Sequence, residues 1–300
     1  MDKLDLIKLG TRGSALALAQ TDLVIKEINR KYPDILCEKV ILHTTGDKIL
    51  NEPLTAFGGK GVFVTEFEEA LLSRTIDLAV HSAKDMPAEI PDGLQIAGVL
   101  PREDARDVLI TLRGHELKGK DKIIIGTGSL RRQYQICELY QNVTCKNLRG
   151  NVTTRLEKLK EGLFDGILLA AAGIKRLRLE QSLEFEYRYL EYEDMIPSGG
   201  QGIIAIEGRK NDEISELITS LSNNNSFLEL ETERLALVLL EAGCHEAVGV
   251  ISSLRNQEIT VSIAKGMDGK MRKVSGKSKE KDRVSLVKSL VAQVKELKQV

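Results

Sequence analysis

The first third of the sequence alternates strand-like and helix-like segments, and this alternation constrains the fold more than any other feature. LIKLG (6–10) predicts a strand and ALALAQTDLVIKEIN (15–29) a helix. KVILHTT (39–45), FVTEFEEALLS (63–73) and DLAVHS (77–82) then follow as strand, helix and strand. Such alternation is typical of βαβ units built on a mostly parallel sheet.

The pattern starts again in the middle of the chain. KIIIG (122–126) predicts a strand, LRRQYQICELY (130–140) and VTTRLEKLKEG (152–162) predict helices, and GILLAAAG (166–173) predicts a strand. The restart indicates a second α/β unit rather than one large sheet.

The two units open alike. LGTRGSALALAQ (9–20) and IGTGSLRRQYQI (125–136) each place a strand, a Gly-Thr turn and a serine before a helix. We therefore predict two similar α/β lobes with mixed, mostly parallel sheets. IIAIE (203–207) reads as a buried strand that returns to the first lobe.

The C-terminal part predicts a small α+β domain. Ser226 and Glu229 have capping-box spacing ahead of a helix at about 227–242. Asp268-Gly269 predicts a hairpin turn. Strands are predicted at 248–254, 259–265 and 271–275, and a last helix has an apolar face of Val287, Leu290, Val291, Val294 and Leu297. We expect a first lobe at 1–100 with 198–220, a second lobe at 101–197 and a third domain at 221–300.

Composition excludes several classes of protein. The chain has 43 basic and 44 acidic residues, a net charge of −1 and 4% aromatic residues, which argues against a nucleic-acid or membrane binder. The opening MDKLDLIKLG does not resemble a signal peptide, and the apolar stretches are too short to span a bilayer. No cysteine or histidine spacing predicts a metal site or disulfides, so a cytoplasmic location is expected.

The segment 46–61 has no convincing periodicity and ends in Gly58-Gly59-Lys60-Gly61. Structureless loops of this length are usually functional or disordered. We predict a mobile lid over a cleft, and a plain surface loop remains the alternative.

Anion-binding residues cluster at the two similar strand-to-helix junctions. Arg12 and Ser14 lie at the first, and Thr127, Ser129, Arg131 and Arg132 lie at the second. Helix N-termini favour anions, and ligands of open α/β sheets lie beyond the carboxyl ends of strands. Two such sites facing each other would form one anion-binding cleft. Helix capping by Ser14 and Ser129 is the structural alternative and is compatible with binding.

Three further arginines occupy turn positions. Arg149 and Arg155 flank Gly150-Asn151, a turn into a helix, and Arg176 follows the segment 166–173. The planar guanidinium binds carboxylates through two parallel hydrogen bonds. A solvated surface position is the more frequent role of any one arginine. Their joint placement in loops indicates a polycarboxylate ligand.

Two single residues suggest chemistry. Asp85 lies beside Lys84 in the turn after DLAVHS, where a carboxylate in a basic cleft could stabilise a cation and transfer protons. From residue type alone, a structural ion pair is the more frequent role. Cys244 follows a predicted helix end at Gly243, an accessible position, although a lone cysteine is usually inert. His81 is expected to pack near the cleft rather than act as a base.

These motifs, in this order, resemble the porphobilinogen deaminases over nearly the whole chain. The matching segments are TRGS (11–14), GGKGVFVTE (58–66), HSAKDMP (81–87), REDARD (102–107), GTGSLRRQ (126–133), LRGNVTTRL (148–156), AAAGIKRL (170–177), GGQG (199–202) and EAGC (241–244). The resemblance implies two lobes like those of periplasmic binding proteins and a small third domain that carries a cofactor loop.

The resemblance also implies an activity. Members of this family join four porphobilinogen molecules head to tail, lose four ammonias and release the linear tetrapyrrole hydroxymethylbilane. A dipyrromethane cofactor would be attached through a thioether to Cys244, and Asp85 would handle protons. Cofactor contacts are implied for Lys84, Thr127, Ser129, Arg131, Arg132, Arg149 and Arg155, and substrate contacts for Arg12, Ser14, Lys60 and Arg176. A cytoplasmic monomer that binds neither nucleic acid nor membrane is expected.

The rival hypothesis is a non-catalytic anion-binding protein on the same two-lobed scaffold. Asp85 and Cys244, which a receptor does not need, argue against it.

Overall fold

The computed structural model describes residues 5–44, 64–242 and 246–296. Strands β1–β13 are Leu6–Thr11, Leu36–Ile41, Leu78–Ser82, Leu94–Val99, Asp107–Leu112, Ile123–Gly126, Val143–Lys146, Gly166–Ala170, Phe185–Leu190, Ile204–Arg209, Val248–Arg255, Glu258–Met267 and Lys270–Lys279. Helices α1–α8 are Ala15–Lys31, Thr65–Leu72, Leu130–Leu139, Val152–Lys160, Ala171–Arg176, Glu213–Thr219, Asn224–Leu239 and Arg283–Glu296. Short 3-10 turns lie at Ala83–Asp85, Leu179–Gln181 and Glu280–Asp282.

Two five-stranded sheets have the same arrangement. The first has the order β2-β1-β3-β10-β4 and the second β7-β6-β8-β5-β9. In each sheet one strand, β10 or β5, runs antiparallel to both neighbours, and the other strands run parallel to one another. A third sheet, β11-β12-β13, is antiparallel. The predicted class, two mixed and mostly parallel α/β lobes with a small α+β part, is confirmed.

The chain divides into two compact units. The first comprises 1–103 and 203–230, and the second comprises 104–202 and 231–300. The antiparallel strand β10 belongs to the first unit although it follows the second sheet in sequence. The three-domain division expected from the sequence stays a prediction.

The first sheet is stabilised by apolar side chains that α1 buries. Val24 and Ile28 of α1 pack with Leu9 of β1 and Ile206 of β10, and all four are almost inaccessible to solvent. The apolar positions of α1 recur at helical spacing, so one face is buried and the other is polar. Burial of each such side chain contributes roughly 1.5–3 kcal/mol.

In the second unit, α3 lies between two layers. Ile136 of α3 packs with Ile125 of β6, while Tyr134 contacts the cluster that includes Ala264 of β12. Glu138 Oε1 also accepts a hydrogen bond from the Met271 N–H at 2.7 Å. This helix therefore connects the second sheet with the three-stranded sheet.

The hairpin predicted at Asp268-Gly269 is present. Both residues have positive φ, 53° and 79°, and Met267 pairs with Lys270 across the turn. A two-residue turn of this kind matches the twist of the flanking strands.

Two predicted elements have different limits. β2 begins at Leu36 rather than at residue 39, because Leu36 is already paired with Leu6. The strand predicted over 166–173 ends at Ala170, and the small helix-forming residues that follow begin α5. The KVILHTT segment therefore contributes only its first residues to β2.

The predicted capping box is wrong. Helix α7 begins at Asn224, and Asn223 Oδ1 accepts the Ser226 N–H at 2.9 Å, so Asn223 fills the capping role. Ser226 Oγ accepts instead from the Arg102 N–H at 2.9 Å. The last helix does bury Val287, Leu290, Val291 and Val294, as predicted, while Leu297 lies outside the described residues.

Candidate functional site

Adjacent parallel strands bring four of the predicted residues of the first unit to one sheet edge. β1 and β3 are hydrogen-bonded neighbours, so the segments that follow them lie side by side. Arg12 and Ser14 follow β1, and Lys84 and Asp85 follow β3. The carboxyl ends of parallel strands are where α/β sheets bind ligands.

Asp85 is exposed but firmly placed. It closes the 3-10 turn Ala83–Asp85, in which the Met86 N–H donates to the Ala83 carbonyl at 3.3 Å. Ala83 and Met86 are both buried, and the Ala83 N–H donates to the Ile203 carbonyl at 3.0 Å. The flanking residues therefore anchor the turn while the Asp85 carboxylate meets solvent.

Ser14 is the N-cap of α1. Its Oγ accepts the Ala17 N–H at 3.3 Å, as capping predicts. Arg12, Ser14 and Asp85 border a small cavity of about 80 Å³. Gln20 and Ser82 border it too, and Gln20 Nε2 donates to Ser82 Oγ at 2.8 Å.

His81 borders the same cavity and belongs to a buried pair. Its Nε2 lies 3.0 Å from Oε2 of Glu207, a fully buried residue of β10. The Phe67 ring packs edge-on against the imidazole at 5.1 Å between centroids. Glu68, the residue after Phe67, is affected by this pair. Burial, and then the nearby charge of Glu207, raise the pKa of Glu68. His81 thus packs beside the site, in keeping with the sequence-based expectation.

The second unit repeats the arrangement. β7, β6 and β8 are adjacent and parallel, so the segments after them converge at one edge. Thr127 follows β6, Arg149 follows β7 and Arg176 lies in the helix after β8. Thr127 is buried, and its Oγ1 accepts the Ser129 N–H at 3.2 Å. Ser129 Oγ accepts the Arg132 N–H at 3.4 Å and caps α3.

A constrained turn places Arg149 and Arg155. Gly150, between β7 and α4, has a φ of +116°, a conformation that L side chains rarely adopt. Asn151 caps α4 by accepting the Thr154 N–H at 2.8 Å. Arg155 Nε donates to the Gly150 carbonyl at 2.7 Å. Both arginines are half-buried.

Arg176 is oriented by a main-chain carbonyl. Its Nη2 donates to the Gly202 carbonyl at 2.6 Å, and its side chain is half-buried at the end of α5. Gly202 closes the GGQG turn, which therefore positions this guanidinium.

Arg131 and Arg132 are buried rather than solvated, and a residue that the sequence analysis did not single out holds them. Asp107 is fully buried and accepts from Arg131 Nη1 at 2.5 Å and from Arg132 Nη2 at 2.7 Å. Gln201 Nε2 donates to the same carboxylate at 3.1 Å. Burial opposes ionisation of Asp107, but the two guanidiniums outweigh it and lower the pKa well below its ordinary value. The sequence did contain a signal for this pair. Asp107 begins the apolar run DVLITL, and a carboxylate that is buried with such a run requires a partner.

A second network missed from sequence surrounds Asp104. Burial favours its neutral form, yet hydrogen bonds from Arg106 and Lys175 lower the pKa of Asp104 to about 2. Arg106 also contacts Glu191 and stacks over Tyr189. These residues come from the REDARD segment, from β9 and the residue that follows it, and from α5.

A further cavity of the second unit lies elsewhere. It measures about 690 Å³ and is bordered by Leu109, Ile123, Asn142 and Tyr187, at the edge where the parallel strands begin. It contains none of the predicted site residues. The predicted hydroxyl and guanidinium groups of the second unit lie at the opposite edge, where the parallel strands end.

Some predicted features lie outside the described residues: Lys60, Cys244 and the lid at 46–61. Among the residues that are described, no group of three or more His, Cys, Asp or Glu side chains could hold a metal ion. No described helix is long and apolar enough to cross a bilayer.

Comparison with known proteins identifies relatives over most of the chain. A family model described as porphobilinogen deaminase, dipyromethane cofactor binding domain, matches residues 7–216, a range that includes every predicted site residue except Cys244. A protein of Syntrophobacter fumaroxidans named porphobilinogen deaminase is 44% identical over 88% of this chain and 85% of its own length. One of Clostridium novyi with the same name is 40% identical over 93% of this chain and 95% of its own length.

A solved structure, the periplasmic VFT2 domain of BvgS from Bordetella pertussis, is similar at 11% identity. Its TM-score is 0.44, over 74% of this chain and 88% of that chain. The family is identified by sequence, because the family model matches residues 7–216, more than half of the chain. The chain belongs to the porphobilinogen deaminase family.

Proposed function

We propose that this chain is a transferase that joins four porphobilinogen molecules head to tail, with loss of four ammonias, and releases hydroxymethylbilane. The main support is the set of hydroxyl and guanidinium groups at the carboxyl ends of the second unit's strands, together with Asp85 at the corresponding edge of the first. Each porphobilinogen brings two carboxylates, so the product gains negative charge with every unit added. Such a ligand requires many cationic donors.

The second unit fits a dipyrromethane cofactor, which carries four carboxylates. Thr127 and Ser129 offer hydroxyls at a helix N-terminus, where the helix dipole favours an anion. Arg149 and Arg155 present planar donors from the turn beside them. We assign the covalent attachment to Cys244 and a further contact to Lys84. When bound, this group supplies the pyrrole carbon to which the next unit is joined.

Arg131 and Arg132 belong to the same proposed set, with a distinct role. Both are buried, lie in the helix that follows Thr127 and donate hydrogen bonds to Asp107. We propose that they provide positive potential for the cofactor carboxylates while Asp107 fixes their geometry. Charged groups in a protein interior act more strongly than at the surface.

Most of the residues proposed for the substrate belong to the first unit, and Arg176 belongs to the second. Arg12 and Ser14, and with them Lys60 and Arg176, are proposed to bind its acetate and propionate groups. Asp85 is the proposed catalytic residue. Its exposed carboxylate can accept pyrrole N–H hydrogen bonds, stabilise the cation left by ammonia and take up the proton released on coupling.

We also propose three domains, at 1–100 with 198–220, 101–197 and 221–300, the last carrying Cys244. We further propose a cytoplasmic monomer. The near-balance of 43 basic and 44 acidic residues argues against binding to nucleic acid or membrane.

Intact-mass spectrometry of the purified protein tests the covalent cofactor. We expect a mass above that of the translated chain by two pyrrole units, on the tryptic peptide 235–255 that contains Cys244. Cys244→Ala should lack this addition, whereas the matched variant Cys37→Ala should retain it. A wild-type protein with the mass of its translated residues would contradict the proposal.

Asp85→Asn tests the catalytic assignment. We expect this variant to fold and to carry the two pyrroles but to consume porphobilinogen roughly 10²–10⁴-fold more slowly, the usual contribution of acid–base catalysis. Asp92→Asn, an exposed carboxylate of the same unit, should retain wild-type turnover. Equal rates in the two variants would remove Asp85 from the mechanism. Tight porphobilinogen binding without ammonia release in the wild type would favour the non-catalytic anion-binding protein.

A further inference from the structure

Cys137 and Cys145 lie close together for a topological reason. Cys137 is in α3, two residues before the helix ends at Leu139. Cys145 is in β7, two residues after the strand begins at Val143. The three residues 140–142 connect the two elements and reverse the direction of the chain. The end of α3 that contains Cys137 therefore lies beside the start of β7 that contains Cys145.

The Cys145 side chain faces the helix layer. Cys145 pairs with Ile125 of β6, and both pack with Ile136 of α3 in one apolar cluster. Within this layer the Cys137 thiol lies close enough to Cys145 to affect the ionisation of Cys145. Cys137 is exposed and Cys145 is half-buried, so one sulfur of the pair meets solvent and the other is sheltered.

The Cys145 thiol is difficult to ionise. Burial, and then the neighbouring Cys137, raise the pKa of Cys145 to about 12. Cys145 therefore keeps its proton near neutral pH. Because the thiolate is the nucleophile in disulfide exchange, the exposed Cys137 is the sulfur expected to react first.

We propose that Cys137 and Cys145 form a reversible intramolecular disulfide, a modification site separate from the proposed active site. The oxidant is a low-molecular-weight disulfide such as oxidised glutathione. The Cys137 thiolate attacks one sulfur of this disulfide, forms a mixed disulfide and releases one glutathione thiolate. Cys145 then loses its proton and attacks the Cys137 sulfur, and the second glutathione thiolate leaves. The two protein thiols are oxidised and one oxidised glutathione is reduced to two thiols.

The first step assists the second. A Cys137 held in a mixed disulfide can no longer carry the negative charge that opposes ionisation of Cys145. The sheltered sulfur also lies near the one it must attack, across the short connection 140–142. Closure should therefore be faster than attack by a second free glutathione.

The bond would link α3 to β7, the edge strand of its sheet. The chain between them, through Tyr140, Gln141 and Asn142, borders the cavity of about 690 Å³. Oxidation would thus fix one wall of that cavity.

Peptide mapping provides a direct test. Trypsin cuts after Arg132 and Lys146, so both cysteines lie in the single peptide 133–146. The purified full-length protein is incubated with oxidised glutathione, alkylated and digested without reduction. We expect this peptide to be two hydrogens lighter than the reduced form, free of alkyl groups, and to return to the doubly alkylated form after dithiothreitol treatment.

Single variants separate the steps. Cys145→Ser should stop at the mixed disulfide on Cys137, and Cys137→Ser should leave Cys145 largely unmodified. Cys37→Ser, which leaves the pair intact, should form the disulfide as the wild type does. The proposal is overturned when wild-type peptide 133–146 stays doubly alkylated, ends as a mixed disulfide, or becomes linked to another peptide.

Discussion

Asp107 illustrates how one buried carboxylate organises a cationic site. It accepts hydrogen bonds from Arg131, Arg132 and Gln201, and it is fully inaccessible to solvent. The desolvation cost of this carboxylate is offset only while the guanidiniums are present. Removal of either partner therefore leaves an uncompensated buried charge.

We predict that Asp107→Asn lowers the free energy of unfolding by about 3–5 kcal/mol, the usual effect of breaking a buried ion pair. Urea denaturation measures this loss. The exposed carboxylate variant Asp121→Asn should change stability by less than about 0.5 kcal/mol. Two variants of equal stability would mean that Asp107 is not what holds the arginines.

We predict that acid reduces the difference in the free energy of unfolding between Asp107→Asn and the wild type. The folded-state pKa of Asp107 is depressed, so its stabilisation is complete above the unfolded-state value of about 3.9 and is lost as the pH falls through the folded value. The free energies of unfolding of the two proteins should therefore begin to converge as the pH falls below about 4, and should meet only in stronger acid. A difference that stays constant down to strongly acid pH would contradict this linkage.

At the scale of the secondary-structure element, Ser14 has two separable tasks. Its hydroxyl caps α1, and it borders the small cavity beside Asp85. We predict that Ser14→Ala lowers the free energy of unfolding by about 0.5–2 kcal/mol, whereas Ser14→Asn restores stability because asparagine is an equally good N-cap. Thermal denaturation measures this effect.

Turnover should separate the two roles of Ser14. If the hydroxyl also binds a substrate carboxylate, Ser14→Asn should regain stability but keep a raised KM for porphobilinogen. A Ser14→Asn enzyme with wild-type kinetics would reduce Ser14 to a cap.

Gly150 governs the turn between β7 and α4. A Cβ there would lie 3.0 Å from the Thr154 side chain, and the φ of +116° disfavours any L side chain. We predict that Gly150→Ala costs about 1–3 kcal/mol of stability and weakens ligand binding by displacing Arg149 and Arg155. Gly119→Ala is the matched control, because Gly119 also has positive φ but has open space around its Cβ. Equal losses in both variants would mean that the Thr154 contact is unimportant.

Sequence patterns identified these elements because their signals are local. The serines before α1 and α3 were predicted as caps, and both accept the expected hydrogen bonds. Local signals fail where several residues could serve the same purpose, as at Asn223, which caps α7 in place of Ser226. The burial of Arg131 was also hidden, because its partner Asp107 lies 24 residues earlier in the chain.

At the scale of the whole molecule, the order of strands depends on pairing between distant residues. The first sheet has β10 between β3 and β4, although the second sheet lies between β4 and β10 in the sequence. The second sheet receives its own antiparallel strand, β5, directly after β4. The apolar IIAIE segment indicated a returning strand, but nothing local specified its neighbours. The structure shows the neighbours of this strand: Ala205 pairs with His81 of β3 on one side and with Val99 of β4 on the other.

This topology makes the first sheet depend on a late segment of the chain. A fragment 1–202 lacks β10 and with it Ile204 and Ile206 of the first core. β3 and β4 would then lose their shared partner and expose unpaired edges, which favours aggregation. We predict that the amides of β3 exchange with solvent freely in fragment 1–202, measured by hydrogen exchange and mass spectrometry. Fragment 1–242, which contains both five-stranded sheets complete, should protect them. Equal protection in the two fragments would show that the first sheet forms without its crossing strand, and the order of its strands would then not be what stabilises the fold.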